Sequence, residues 1–262
     1  MHFTYILPNR KEVKLKELLY KDLRTFNLYS ETALPGRIDF LESFILTKGL
    51  NVLEKFYCLL YLRQQCIGNQ VNVTSGKGDV SIDLDFLIEN IGGISDIETD
   101  VVVENIVYTL DFPLHFNTGN DDFILSLVKK IRIGDDELVL GDLSKKEYQE
   151  ATERLPEQLY SFIDKFLEEC QEFFSLNLLE ERKNVDIRPI KFSIMQYDFA
   201  DFIASLFRCI TTEGYREMLF ALSRRISDVS FLANSTFLEV NDYFQLYKDE
   251  IENQKVNEQK PG

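Results

Sequence analysis

The sequence predicts an α+β chain, with β-hairpins in the first half and mainly helices in the second. Three observations predict this. Residues 1–17 and 71–84 alternate apolar and polar side chains, the period of a strand with one buried face. From about Asp142 onward the apolar residues recur every three or four positions, the period of a helix. Turn-forming runs such as Pro8-Asn9, Gly92-Gly93 and Gly134-Asp135 punctuate the alternating part.

In chain order, Phe3, Tyr5 and Leu7 share one side of an extended run. Pro8 to Lys11 turns it, and Val13 and Leu15 continue, so the opening reads as a hairpin. Tyr20 to Ser30 changes period, with Leu19, Leu23 and Phe26 at helical spacing. Pro35-Gly36 breaks the chain. Ile38, Leu41, Phe44 and Ile45 then predict an amphipathic helix ending near Gly49. Asn51 to Cys66 is apolar on several sides, which predicts a central buried helix with Gly68 as its C-cap. Val71, Val73, Val80, Ile82 and Leu84 flank the turn Thr74–Gly78 in a second hairpin, and Asp85 to Ile91 reads as a short helix. Strands are expected at Val101–Val103 and Ile106–Phe116. In the latter, Tyr108, Leu110, Phe112, Leu114 and Phe116 share a face, and Pro113 points to a sheet edge. Phe123 to Ile131 reads as a helix with Ile124, Leu125 and Val128 inward, and Ile133 to Leu140 as an exposed hairpin.

The second half opens on Ser144-Lys145-Lys146-Glu147. The Ser hydroxyl of such a capping box accepts a backbone N–H while the Glu reaches back. Pro156 starts a further helix carrying Leu159, Phe162, Ile163, Phe166, Leu167 and Cys170, which is expected to continue through Phe173 to Leu179. Helices follow at Phe199–Ile210 and Tyr215–Arg225. Thr236-Phe237-Leu238-Glu239 repeats the capping box ahead of a last helix. This divides the chain into an α+β domain, 1–132, a helical domain, 142–252, and a polar tail, 253–262.

Composition narrows the function. With 29 basic and 44 acidic residues the net charge is −15, which repels phosphate backbones, so nucleic acid is not an expected partner. No apolar run has the roughly 18 residues of a membrane helix. The first ten residues lack the apolar core of a cleavable signal, so a cytoplasmic chain is expected. Two histidines, His2 and His115, leave little for a His-based catalytic triad. Cys58, Cys66, Cys170 and Cys209 lack zinc spacing. Cys58 and Cys66 fall within an apolar helix and read as buried small apolar residues.

Motifs of chemistry are incomplete. In Thr74-Ser75-Gly76-Lys77-Gly78, a phosphate loop would need Gly at the place of Val71 and Ser or Thr at that of Gly78, so a hairpin turn is expected. Asp135-Asp136-Glu137 with Asp142 lacks calcium-loop spacing and reads as a solvated turn. Asp198 and Asp201 suit the positive end of a helix. Lys183, Arg188 and Lys191 form only a dilute basic patch. No catalytic site, metal site or cofactor is expected.

Three stretches carry a resemblance. Tyr5-Ile6-Leu7-Pro8-Asn9-Arg10-Lys11-Glu12-Val13-Lys14-Leu15-Lys16-Glu17 followed by Lys21-Asp22-Leu23-Arg24 is one. Leu62-Arg63-Gln64-Gln65-Cys66-Ile67-Gly68 with the hairpin reaching Ile82-Asp83-Leu84 is another. Leu143-Ser144-Lys145-Lys146-Glu147 with Leu155-Pro156 is the third, and Tyr215 to Glu239 adds to them. Together they resemble the baseplate hub protein family of T-even-type contractile-tailed phages. Where some members carry a cysteine pair on the middle hairpin, this chain has none, so no zinc site is expected. The resemblance implies a non-enzymatic hub subunit or hub assembly factor. It would contact other hub or tape-measure proteins, in the host cytoplasm during assembly or in the virion's tail baseplate. The alternatives are a small cytosolic enzyme or nucleotide-binding module, and an acidic DNA mimic, which should be more densely acidic than this chain.

A hub protein must present apolar surface, and two segments lack a clean one-face pattern. Phe173, Phe174, Leu176, Leu178 and Leu179 are apolar nearly all round, and Tyr108 and Phe112 lie on the strand expected at a sheet edge, open to strand addition. These seven residues are the expected partner contacts.

Overall fold

The computed structural model describes residues 2–29, 33–75, 78–91, 94–119, 121–177, 191–209, 212–224, 226 and 228–258. The fold is α+β, with most of its strands in the first half and most of its helices in the second. Strands β1 (His2–Ile6) and β2 (Glu12–Lys16) form the expected hairpin, with Tyr5 opposite Val13 and Phe3 opposite Leu15. Its buried face, Leu7, Val13 and Leu15, lies on the core. Helix α1 (Tyr20–Tyr29) follows.

Helix α2 (Leu34–Glu42) is shorter than its periodicity suggests, and Pro35 sits in its first turn instead of breaking the chain. Phe44 to Leu46 leave the helix because they pair with β2. Lys16 N–H donates to the Phe44 carbonyl (2.7 Å) and Leu46 N–H to that of Lys14 (2.8 Å).

Helix α3 (Val52–Cys66) is the central buried helix. Asn51 accepts from Glu54 N–H (2.9 Å) and Glu54 accepts from Asn51 N–H (3.0 Å), closing an N-terminal box. Tyr61 stacks on Tyr5 at 4.0 Å, and Phe56 meets Phe199 edge-on at 5.0 Å. Gly68 ends the helix with φ +123, a conformation side chains resist. Strands β3 (Gln70–Ser75) and β4 (Gly78–Asp83) form the second hairpin, and α4 (Leu84–Ile91) follows. The centre of its turn, Gly76-Lys77, lies outside the described residues.

A four-stranded antiparallel sheet comes next, in the order β5 (Thr99–Val103), β6 (Ile106–Leu110), β7 (Val128–Ile133), β8 (Asp136–Val139). It corrects two expectations. The strand expected to reach Phe116 stops at Leu110 and is an inner strand. Pro113 lies beyond it, and its carbonyl accepts the Val52 N–H at the start of α3 (2.7 Å). The helix expected at Phe123–Ile131 is a 3₁₀ helix over Asp121–Leu127 running into β7, with Ile124 exposed.

The helical half contains α5 (Lys145–Thr152), α6 (Gln158–Glu169), α7 (Tyr197–Leu206), α8 (Thr212–Ser223), α9 (Val229–Ala233) and α10 (Phe237–Glu258). Both expected capping boxes form: Ser144 with Glu147, and Thr236 with Glu239. Between α6 and α7, β9 (Ser175–Asn177) pairs with β10 (Lys191–Ser193).

One core runs from Leu7 to Phe207 and takes side chains from both halves of the chain. A smaller cluster joins Tyr20 of α1 to Tyr215, Met218 and Leu222 of α8, Leu232 of α9 and Val240 of α10.

Candidate partner surfaces

Four of the seven expected contact residues are core. Tyr108 is buried in the inner strand β6. Phe112 is buried edge-on against Phe174 (5.7 Å), which in turn meets Phe166 at 6.1 Å. Leu176 is buried opposite Phe192 in the β9–β10 pair. Helix α6 stops at Glu169, so the described part of the stretch expected to be a helix, Phe173 to Asn177, is a turn and a strand, with Phe174 and Leu176 covered by their own chain. Phe174, Leu176, Tyr108 and Phe112 are thereby corrected from partner contacts to core. Phe173 is 37% exposed and keeps a face to solvent. Leu178 and Leu179 lie outside the described residues, as do the expected basic residues Lys183 and Arg188.

Exposed apolar surface appears instead at the far side of the sheet. Val101, Tyr108, Ile131 and Leu138 stand opposite one another across the four strands, so they share one face. Burial along this row falls from Tyr108 through half-buried Ile131 to Leu138, which is 41% exposed. Ile133, two residues beyond Ile131 on the same face, is 58% exposed. The sheet thus continues its apolar face past the edge of the core. The β7–β8 hairpin turns on Gly134 (φ +62) and Asp135, with Gly first in the turn, as type II′ geometry requires. Sequence reasoning found this hairpin. It missed the apolar face because the alternation around Ile133 and Leu138 does not tell where the core beneath the sheet stops.

A polar cavity of about 280 Å³ lies between α3 and the sheet, lined by Asn9, Lys11, Glu54, Glu98, Asp111 and Lys129 among others. Lys11 Nζ donates to both Glu54 oxygens (3.3 and 3.2 Å). Lys129 Nζ donates to Asp111 (3.0 Å) and to Glu98. Burial raises the Asp111 carboxyl above its usual range, against the opposing pull of Lys129. Burial works to lower Lys129, but its bonds to Glu98 and Asp111 prevail and raise it. Lys11 with Glu54, and Lys129 with Asp111 and Glu98, are engaged with one another, so the cavity is walled by two ion-paired clusters.

The remaining candidates are structural. Cys58 and Cys66 are buried in α3, and burial pushes their thiols up to about 12 and about 11, so both stay protonated at neutral pH. Asp201 on α7 accepts from Arg37 Nη2 (3.2 Å), tying α7 to α2. Among the described residues no group of three or more His, Cys, Asp and Glu side chains is placed to hold a metal ion. No described helix is long and apolar enough to cross a membrane.

Arg63, noted in the sequence only as part of a resemblance, holds three backbone carbonyls. Its Nε donates to Leu206 (3.0 Å), its Nη2 to Gln70 (2.8 Å) and its Nη1 to Gly68. The run from Arg63 to Gly68 therefore has a physical basis. The guanidinium reaches back over the helix end that Gly68 terminates, and Cys66 accepts the Leu18 N–H at 3.4 Å.

No curated protein and no solved structure matches the chain. A family model described as T4 bacteriophage base plate protein matches residues 1–178, which include the β1–β2 hairpin, Arg63 and its helix, the four-stranded sheet and the Ser144 capping box. The match spans well over half of the sequence, and the chain belongs to this T4 bacteriophage base plate protein family.

Proposed function

We propose that the protein is a baseplate hub subunit or hub assembly factor that works through protein–protein contacts and not through catalysis. The observation that carries the reading is the family match over residues 1–178. The three stretches that resemble hub proteins lie inside that span and give the finer assignment its support. The partners are other phage tail proteins, of the hub or the tape measure, met in the host cytoplasm and retained in or released from the tail. Exposed Ile133, Leu138 and Phe173 supply apolar surface for such contacts, and the net charge of −15 keeps the free chain from associating with itself. The division at 1–132, 142–252 and 253–262 is carried forward as part of this proposal, as a change of secondary-structure type along the chain and not as units that fold alone, since both halves feed one core.

The test is recovery of a tagged chain from infected cells during tail assembly. Hub or tape-measure proteins should accompany it in fixed proportion. Recovery of the chain alone, with tails assembling normally in its absence, would refute the reading.

A further inference from the structure

We propose that the outer edge of β8 is a docking site for an extended segment of another protein in which apolar and basic residues alternate. The proposal rests on the function proposed above and names the surface and the partner chemistry that it requires.

Sequence reasoning looked for strand addition at β6, which lies inside the sheet with β5 and β7 on its flanks. The outer strands are β5 and β8, and α6 packs against β5. The principal neighbour of β8 is β7 alone. In a two-residue hairpin the closing pair, Ile133 and Asp136, is of the hydrogen-bonded kind. Pairing with β7 then alternates along the strand, so the N–H and C=O groups of Glu137 and Val139 face away from it. An incoming strand finds those groups ready to pair.

The side chains define what that strand carries. On one face stand Leu138 and Ile133, exposed at the end of the apolar row, and an apolar side chain beside Leu138 would extend the row. On the other face stands Glu137; exposed Asp135 lies in the turn, and exposed Asp136, opposite Ile133, ends the apolar face with a charge. Among the described residues no ion pair involves these three; Arg132, opposite Glu137, reaches Asp100 at 3.5 Å. A basic side chain beside Glu137 meets an open carboxylate, and the alternation of a strand puts it one residue from the apolar contact. A second copy of this chain fits poorly. Joining two β8 edges would bring Asp136 and Glu137 of one copy against those of the other, between chains of net charge −15.

The probe is a capped heptapeptide alternating lysine and valine, compared with one alternating glutamate and valine, against the full-length chain. The readout is amide hydrogen exchange and chemical shift at Glu137 and Val139. The lysine peptide should slow exchange at those two amides, the glutamate peptide should not, and the doubly substituted Asp136→Lys, Glu137→Lys chain should bind the lysine peptide about tenfold more weakly. Both substitutions are at exposed positions, and circular dichroism checks the fold. Val139→Pro, which removes an outward N–H, should abolish the protection as well. Unchanged β8 amides, equal effects of the two peptides, or changes at the β5 edge instead would overturn the proposal. The two proposals fail separately. If hub proteins accompany the doubly substituted chain as fully as the parent, the edge is not the docking site and the hub reading stands. If they accompany neither chain, the hub reading is what fails.

Discussion

Replacing Arg63 with methionine removes the guanidinium and keeps most of the apolar stem. Arg63 is 5% exposed and serves three carbonyls from separate parts of the chain: Leu206 at the end of α7, Gly68 after α3, and Gln70 at the start of β3. Burial lowers its pKa to about 10, so at neutral pH the side chain remains charged with all its donors. The Leu206 bond is buried, while the other two are part-buried and within reach of water. An orphaned buried carbonyl costs roughly 2 kcal/mol and the two part-buried ones together about 1 kcal/mol, so Arg63→Met should lose about 3 kcal/mol. For a chain of this size that corresponds to a fall in Tm of roughly 6–12 °C. Arg63→Lys, whose single ammonium lacks the fork that spans three separated carbonyls, should lose about 2 kcal/mol. Urea denaturation followed by far-UV circular dichroism measures both. A change in Arg63→Met below about 0.5 kcal/mol, within the range of ordinary surface substitutions, would refute the claim that this side chain joins α3, α7 and β3.

Three further outcomes are expected. Lys129→Met leaves Asp111 buried without its cation and should lose about 3 kcal/mol at pH 7. Burial already raises Asp111, so the folded chain binds its proton more readily than the unfolded chain. The deficit should therefore shrink as pH falls toward the raised folded value, and chemical denaturation at pH 7 and about pH 5 checks the sign. The β5–β6 turn places Glu104 (φ +53) and Asn105 (φ +66) in the left-handed region, as a type I′ turn demands, so Glu104→Asn with Asn105→Gly should raise stability by about 1 kcal/mol, read as an upward shift in Tm. A fragment of residues 1–141 loses Phe199, Ile203, Leu206 and Phe207 from the shared core and the Leu206 carbonyl from Arg63; limited proteolysis should find it unprotected, and a cooperative unfolding transition in it would show the first part to be independent.

What could be read from the sequence follows from how local each signal is. The hairpins at Tyr5–Val13 and Val71–Ile82 and the capping boxes at Ser144 and Thr236 depend on near neighbours, and they form as read. The span Phe123–Ile131 was misread because Leu125 and Val128 are three apart, a spacing that a 3₁₀ turn leading into a strand also produces. Phe112, Leu114 and Phe116 keep the alternation of β6 after the strand has ended; that segment runs beside Ser126 and Leu127 without a full ladder and buries Asp111 and Pro113 as well, so the period there does not mark a strand. The stretch from Phe173 looked uncovered because its cover is distant: Phe112 is some sixty residues earlier and Phe192 lies across the β9–β10 pair. The exposed row ending in Leu138 could not be read, since exposure there depends on where the core stops, a property of packing and not of period. Arg63 carried a signal only through resemblance; its three acceptors are backbone carbonyls, which leave no mark in a sequence.

If the chain acts in baseplate assembly through protein contacts, as proposed, finished tails depend on it. In vitro complementation tests it most directly: extracts of cells infected with phage lacking this protein are supplied with the purified chain, and finished tails are counted by electron microscopy. Few or no complete tails are expected without the chain, recovery with it, and impaired recovery with the Asp136→Lys, Glu137→Lys form. Normal tails in the unsupplemented extract would contradict the proposal.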